Sequence, residues 1–496
     1  MIASASASGA WSPPQLRPIL YLIGGMLVAL SATMLLPAAA DLVVGNPDWK
    51  AFALSSAVTF AAGATLYVAF RCELTAGLTL RQAFVLTPMA WTAIALFGAL
   101  PLYFSDYAQL RDSFANAIFE SMSGLTATGA TVIVGLDFAP PGVLLWRGLL
   151  QWLGGFGIIG MAIAILPALG VGGMQLFRTE SSDRSEKVMP RVREIAAALS
   201  FVYLGLTGLC AILYWLAEMT PFEALVHALT TVATGGFSTS DSSMGKFGPV
   251  VHWIAIVFML SGAIPFVLYV RLLRGEQDTL RDRQVRTFLA GLAAVSGALA
   301  LWLVLSGQYG VGDALRHAAF NVVSIVTTTG YATTDYTLWG NVATGVFFAL
   351  IFVGGCTGST SGGIKIFRFE VMAIMLRAQL MRLIHPRGVF QKTYAGRLLP
   401  EDVTASIVAF LAFFIVCYSA LTIALMAFDL DFLTSASAAA TALANVGPGL
   451  GPIIGPAGNF ATIPDGAKWL LAFGMLLGRL ELFTVLVLFV PGFWRG

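Results

Sequence analysis

Thr126-Ala127-Thr128-Gly129 returns along the chain in altered form, as Val232-Ala233-Thr234-Gly235, Thr327-Thr328-Thr329-Gly330 and Ala444-Asn445-Val446-Gly447. Each copy is a short run of small, polar or β-branched residues that ends in glycine. A short, partly apolar segment precedes each one and a long apolar segment follows. The closing glycines fall at near-equal intervals, and a pattern repeated at near-constant spacing points to repeated structural units. Four like units, each presenting one such loop, predict a fourfold arrangement about an axis.

The composition places these units in lipid. Of 496 residues, 57% are hydrophobic and only 11% charged, against roughly 25% charged in a soluble domain; mean hydropathy is +0.82. The cysteines, Cys72, Cys210, Cys356 and Cys417, are widely and irregularly spaced in or beside apolar segments. They form no zinc, redox or disulfide pattern and read as small buried hydrophobes. His227, His252, His317 and His385 show no metal-ligand spacing. Gly170-Val171-Gly172-Gly173 is no nucleotide fingerprint, because no strand precedes it and the spacing fails. The sequence therefore carries no enzyme motif and no nucleic-acid motif. The Ala/Ser/Pro-rich opening lacks a charged n-region and reads as a tail rather than a cleaved signal.

A spanning helix needs about 20 mostly apolar residues. Stretches 18–43 and 49–70 form a first pair with no Thr-Gly loop behind it. Unit one then runs 82–103, a short 110–125, its loop and 143–169. Unit two runs 195–216, 221–231, its loop and 250–272. Unit three runs 288–305, 311–326, its loop and 342–376 with a break inside, and unit four 403–428, 432–443, its loop and 468–490. The short segments cannot cross, so each is expected to enter the bilayer and turn back. Non-helical backbone at membrane depth survives only where it is buried in protein or lines a watery cavity, which brings the four loops to one cavity. The expected fold is thus an all-α integral membrane protein. An N-terminal helix pair (1–77) is followed by helix–pore-loop–helix units at 78–192, 193–284, 285–400 and 401–496. Clusters of Lys and Arg at 71–81, 178–193, 271–286 and 368–397 all precede a unit's first span, whereas the other side holds only scattered cations such as Arg147 and Lys246. Both termini are therefore expected in the cytoplasm, with the loops open to the outside.

Such loops suit a cation. Potassium sheds its water only where backbone carbonyls replace it, and glycine adopts the unusual torsions that point successive carbonyls inward. A re-entrant helix also aims its partially negative C-terminus at the cavity. The expected ligands are Ala127 and Thr128, Ala233 and Thr234, Thr328 and Thr329, and Asn445 and Val446. Asp137, Asp241 and Asp335 follow three of the loops; they either concentrate cations at the mouth or are solvated loop charges.

Two features lie deeper. Gly354-Gly355-Cys356-Thr357-Gly358-Ser359-Thr360-Ser361-Gly362-Gly363, with Lys365 behind it, cannot hold a helix centre, since each glycine costs about 1 kcal/mol against alanine. It is expected to break the span as a gating loop below the ring; a small-residue packing face is the alternative. Arg479 stands inside the last span and is a functional candidate by default, as a positive charge on the ion path. Pairing with a carboxylate or helix carbonyls of another unit is its structural alternative. Glu481, two residues on, does not share its helix face.

With these residues in view the chain resembles the Trk/Ktr/HKT superfamily of potassium transporters, in its bacterial TrkH/TrkG branch. The resemblance rests on Gln151-Trp152-Leu153-Gly154-Gly155 with Gly157-Ile158, on Gly170-Val171-Gly172-Gly173-Met174-Gln175-Leu176-Phe177-Arg178, on residues 354–368, on 445–451 and on Gly478-Arg479-Leu480-Glu481-Leu482-Phe483. It implies K+ uptake across a bacterial inner membrane, a filter glycine in each unit, a gate at 354–363, and Arg479 on the path beneath. It also implies a homodimer and a cytosolic TrkA-like nucleotide-binding ring that controls the gate, this chain binding no nucleotide. Glycine at 129, 235, 330 and 447 favours potassium over sodium, although Asn445-Val446 makes the ring chemically unequal. An Na+- or H+-coupled K+ symporter with a carrier cycle is the alternative; the membrane subunit of an ATP-driven pump is a third reading.

Overall fold

The computed structural model describes residues 16–73, 78–111, 113–164, 188–276 and 282–495. The Gly170–Arg178 motif, the opening tail to residue 15, and Arg184, Lys187 and Arg281 lie outside the described residues. Helices Leu16–Val44 and Trp49–Ala69 form the expected N-terminal pair. They meet at Gly24 and Gly63, where a Cβ on either would press into the other helix's backbone. Small residues that admit such an approach are how helices associate where lipid removes the hydrophobic drive.

Four short helices recur as the sequence predicts: Phe114–Leu125, Pro221–Val232, Val311–Val326 and Phe432–Ala444. The longest has 16 residues and rises about 24 Å at 1.5 Å per residue, short of the roughly 30 Å hydrocarbon core. Ser113, Thr220 and Asp431 cap three of them, each side chain accepting a backbone N–H three residues on. These caps satisfy N–H groups that the helix itself leaves unpaired.

Among the described residues seven helices are long and apolar enough to cross a membrane. Two stretches expected as single spans are bent instead. Pro249–Ala263 and Phe266–Leu273 meet at 93°, and Asp465–Arg479 and Leu482–Phe489 at 112°. At the first bend Pro265 has no N–H to give, and it ends the helix. The carbonyls freed there find partners in another unit: Gly262 accepts from the Thr360 N–H at 3.1 Å and Ala263 from the Cys356 N–H at 3.0 Å. At the second bend Glu481 takes a left-handed φ of +60°. The break predicted within 342–376 is present, with helices Asn341–Ile351 and Ile366–Ile384 on either side of a non-helical stretch. One element was not anticipated. Thr393–Tyr394 and Arg397–Leu398 pair as a small antiparallel hairpin through Ala395 and Gly396, both at positive φ, as a type I′ turn requires.

Candidate functional site

Each short helix ends in the same cap. The residue after its last turn is left-handed: Ala127 (φ 50°), Thr234 (φ 50°), Thr328 (φ 59°) and Asn445 (φ 54°). Their N–H groups bond back to Gly124, Thr231, Ile325 and Ala442. The next N–H groups, of Thr128, Gly235, Thr329 and Val446, reach Ser123, Thr230, Ser324 and Thr441. This is a Schellman closure four times over. Only asparagine among the four tolerates the left-handed region well; alanine and threonine hold it at a cost of roughly 1–2 kcal/mol each. Strain of this kind persists where surroundings over-determine it, commonly at functional sites.

The caps also correct the alignment of loop two. One residue further on, Gly129 (φ 86°), Gly236 (φ 80°), Gly330 (φ 82°) and Gly447 (φ 108°) share the positive-φ position. Gly236, not Gly235, is the counterpart of Gly129, so Thr234 and Gly235 occupy the places of Ala127 and Thr128. Val232 is the last helical residue, and Ala233 sits at the C-cap, where loop one has Thr126. Two consecutive glycines made the Thr-Gly pattern fit one residue early.

The four glycines interlock around a closed circuit. A Cβ on Gly129 would strike the carbonyl oxygen of Gly235, and one on Gly236 that of Thr329. A Cβ on Gly330 would strike that of Val446, and one on Gly447 would lie 2.7 Å from that of Thr128. Each loop thus packs its glycine against the next loop's carbonyl, and the last returns to the first. Thr126 and Thr128 join hydroxyls at 2.7 Å, and Thr327 and Thr329 do so at 2.8 Å. In loop four Asn445 Nδ2 donates instead to Thr128 Oγ1, 2.9 Å away, so the chemical inequality expected there is built into the ring.

The Gly/Ser/Thr stretch lies directly against this ring. The Gly362 N–H donates to Thr328 Oγ1 at 2.7 Å, and Thr234 Oγ1 donates to Thr360 Oγ1 at 3.1 Å. From the other side Arg479 Nη1 donates to the Thr360 carbonyl at 2.7 Å. The Lys365 ammonium donates to the Ser361 carbonyl. Thr357 is held by Gln284, Gly355 by the Ser361 hydroxyl and Gly358 by the Phe266 N–H. Arg479, Lys365, Ser359, Gly363 and Glu481 line a small cavity of about 30 Å³ under the stretch. Glu481 pairs with buried Arg368 at 2.8 Å, whose guanidinium lies 3.7 Å from the centre of the Phe410 ring.

A family profile, TrkH, described as a cation transport protein, matches residues 49–495. The chain belongs to the TrkH family. Across 96% of its length it is 51% identical to the Trk system potassium uptake protein TrkI of Halomonas elongata, covering 97% of that protein. It is 37% identical to TrkH of Escherichia coli over 97% of this chain and 99% of the relative. The crystal structure of the potassium transporter TrkH from Vibrio parahaemolyticus superposes with a TM-score of 0.90 at 37% identity, over 97% of this chain and all of that one. This TrkH-family chain is accordingly a multi-pass membrane transport protein and not an enzyme.

Above the ring the TrkH-family chain opens into a mouth of about 240 Å³, lined by residues of loops one, two and four and by Gly330. Of the three carboxylates, Asp241 lines it, and all three act first as staples. Asp241 accepts the N–H groups of Gly135 and Leu136 at 2.7 and 3.0 Å. Asp137 returns the contact to Ser240 at 2.9 Å and to Lys246 at 3.2 Å. Burial works against charging Asp137, yet these bonds hold its carboxyl below the ordinary range. Asp335 caps the turn at Thr337. Among the described residues no group of His, Cys, Asp or Glu is placed to hold a metal.

Two supports of the ring escaped the sequence reading. Glu120, on the first short helix, meets Arg147 at 2.7 Å with both side chains buried. Arg147 also donates to the Ser238 carbonyl and lies 4.0 Å from the centre of the Phe237 ring, while Glu120 accepts from Thr131 and Val132. The pair braces the exits of loops one and two, and breaking such a pair costs about 3–5 kcal/mol. A carboxylate inside an otherwise apolar re-entrant helix was the available signal. Gln151 is the second support.

Proposed function

We propose that this chain takes up potassium across a bacterial cytoplasmic membrane through the ring of four loops. The observation that carries the reading is the closed circuit of glycine against carbonyl, joining Thr128, Gly235, Thr329 and Val446. Four carbonyls brought together at membrane depth replace the water of a monovalent cation. Four short helices add the partial negative charge of their C-termini. The membrane potential then draws K+ inward, at ~2.3 kcal/mol per elementary charge per 100 mV.

In the same proposal residues 354–363 gate the path and Arg479 is the positive barrier beneath. Support comes from the bonds of Thr360 and Gly362 to loops two and three and from the Arg479 contact to Thr360. The cavity below, about 30 Å³, has room for one or two waters, which fits a shut gate. The unit boundaries 78–192, 193–284, 285–400 and 401–496, cytoplasmic termini, a homodimer and a TrkA-like cytosolic ring that opens the gate complete the proposal. The relatives' names, as parts of a Trk system, support a partner.

The test is tracer uptake into liposomes holding the purified chain. Accumulation of Rb+ or K+ in excess of Na+, without a sodium or proton gradient, is the expected result. Strict dependence on either gradient would replace the channel-like reading by coupled symport.

A further inference from the structure

Loop two lacks what the other loops carry. At the ring position loops one, three and four have Thr128, Thr329 and Val446, whereas loop two alone has a glycine, Gly235; two residues earlier it has Ala233, as loop four has Ala444, where loops one and three have threonine. Neither hydroxyl of the Thr126–Thr128 pair has a counterpart there. The vacant space is filled from outside the loop. A Cβ built on Gly235 would run into the side chain of Gln151, which is fully buried on helix Pro141–Ala164. Gln151 Nε2 donates to the Gly235 carbonyl at 2.6 Å, and its Oε1 accepts the Phe237 N–H at 3.1 Å. Both partners are backbone groups of fixed polarity, so they determine which way the carboxamide faces. The amide bridges Gly236, the positive-φ glycine whose own packing carries the ring onward to Thr329.

We infer that Gln151 is a positioning residue for ion selection, standing in for the missing ring side chain of loop two and fixing the direction of the Gly235 carbonyl. Gly235 has no side chain of its own to restrain it, and glycine explores the most backbone conformations of any residue. A carbonyl oxygen has two lone pairs; Gln151 takes one and leaves one for the ion. Loop two thus contributes a carbonyl of set direction and reduced basicity to an otherwise stiffer ring.

This inference rests on the potassium reading above, and its test separates the two. Gly235 does not have a positive φ, so a side chain there is opposed by Gln151 and not by torsion. The experiment measures Rb+ and Na+ uptake into liposomes for Gln151→Ala, Gly235→Thr and the double variant, with Gln151→Met as a variant that keeps the volume but neither hydrogen bond. Each single variant is expected to lower Rb+ over Na+ discrimination about tenfold, the scale of one buried carbonyl left without its donor. The double variant is expected within about threefold of the starting protein, because threonine takes the space that glutamine leaves and restrains the loop-two backbone with a ring side chain of its own, as Thr128 and Thr329 do in their loops. Gln151→Met is expected to be purified in normal yield and still lose about tenfold in discrimination. If the two single effects simply multiply in the double variant, or if Gln151→Met discriminates normally, the inference is overturned. Should the single variants fold poorly, recovery of yield in the double supports shared space and continued failure overturns it. A starting protein with no preference for Rb+ over Na+ would instead overturn the potassium reading.

Discussion

Gly330→Ser is expected to abolish most of the discrimination between K+ and Na+, by roughly ten- to a hundredfold, with the protein still reaching the membrane. Two costs converge at this residue. Its φ of +82° carries a penalty of about 1–2 kcal/mol for any side chain. The added Cβ would also strike the Val446 carbonyl and come within 2.9 Å of Pro448. The carbonyl must turn or the loop must shift, and either change opens the ring at the point where loops three and four lock. Gly129→Ser meets the Gly235 carbonyl in the same way and should behave alike. Gly291→Ala is the control: it sits on helix Arg283–Leu305 with nothing near its Cβ, and its discrimination should match the starting protein. Paired Rb+ and Na+ uptake into liposomes reads all three, and unaltered discrimination in Gly330→Ser would remove that loop from the ion path.

Deleting residues 358–362 is expected to raise resting K+ flux, in the absence of any cytosolic partner, by an order of magnitude or more. The deletion removes Thr360, which is bonded to loop two on one side and to Arg479 on the other. It also removes the Gly362 N–H that loop three holds through Thr328. Each such bond is worth about 0.5–1.5 kcal/mol net, more where a charge takes part. Together they hold the stretch against loops two and three and against Arg479, and the proposed gate requires bonds of this kind to break when it opens. Flux that stays at its resting level would assign residues 354–363 to packing.

The fourfold plan was legible because it is written in short-range terms: non-crossing segments, a glycine after each, and a basic cluster ahead of each unit's first span. The loop at 354–363 was legible for the same reason, since five glycines in ten residues leave a helix little to gain. The register of loop two was not, because Gly235-Gly236 offers two equivalent endings and only the backbone torsions choose between them. At the first bent span Pro265 was a sufficient warning. At the second there was none. Leu480-Glu481 contains no helix breaker, and the turn there coincides with an ion pair to Arg368, 113 residues away in sequence. Gln151 and the Glu120–Arg147 brace belong to the same class. Their partners lie on other elements; a carboxylate inside a re-entrant helix marks Glu120 as unusual, but which group answers it, or answers Gln151, is decided only by the fold. Arg479 stands out in the sequence as a charge inside an apolar span; its bond to the Thr360 carbonyl of unit three is close to the structural alternative, and only the fold names that partner.

The most direct measurement is an anomalous difference map of the purified protein crystallised in thallium or rubidium, which scatter where K+ would sit. A peak is expected on the axis among the carbonyl oxygens of Thr128, Gly235, Thr329 and Val446, lost in Gly330→Ser crystals. A peak elsewhere in the protein, with none at that ring, would contradict it.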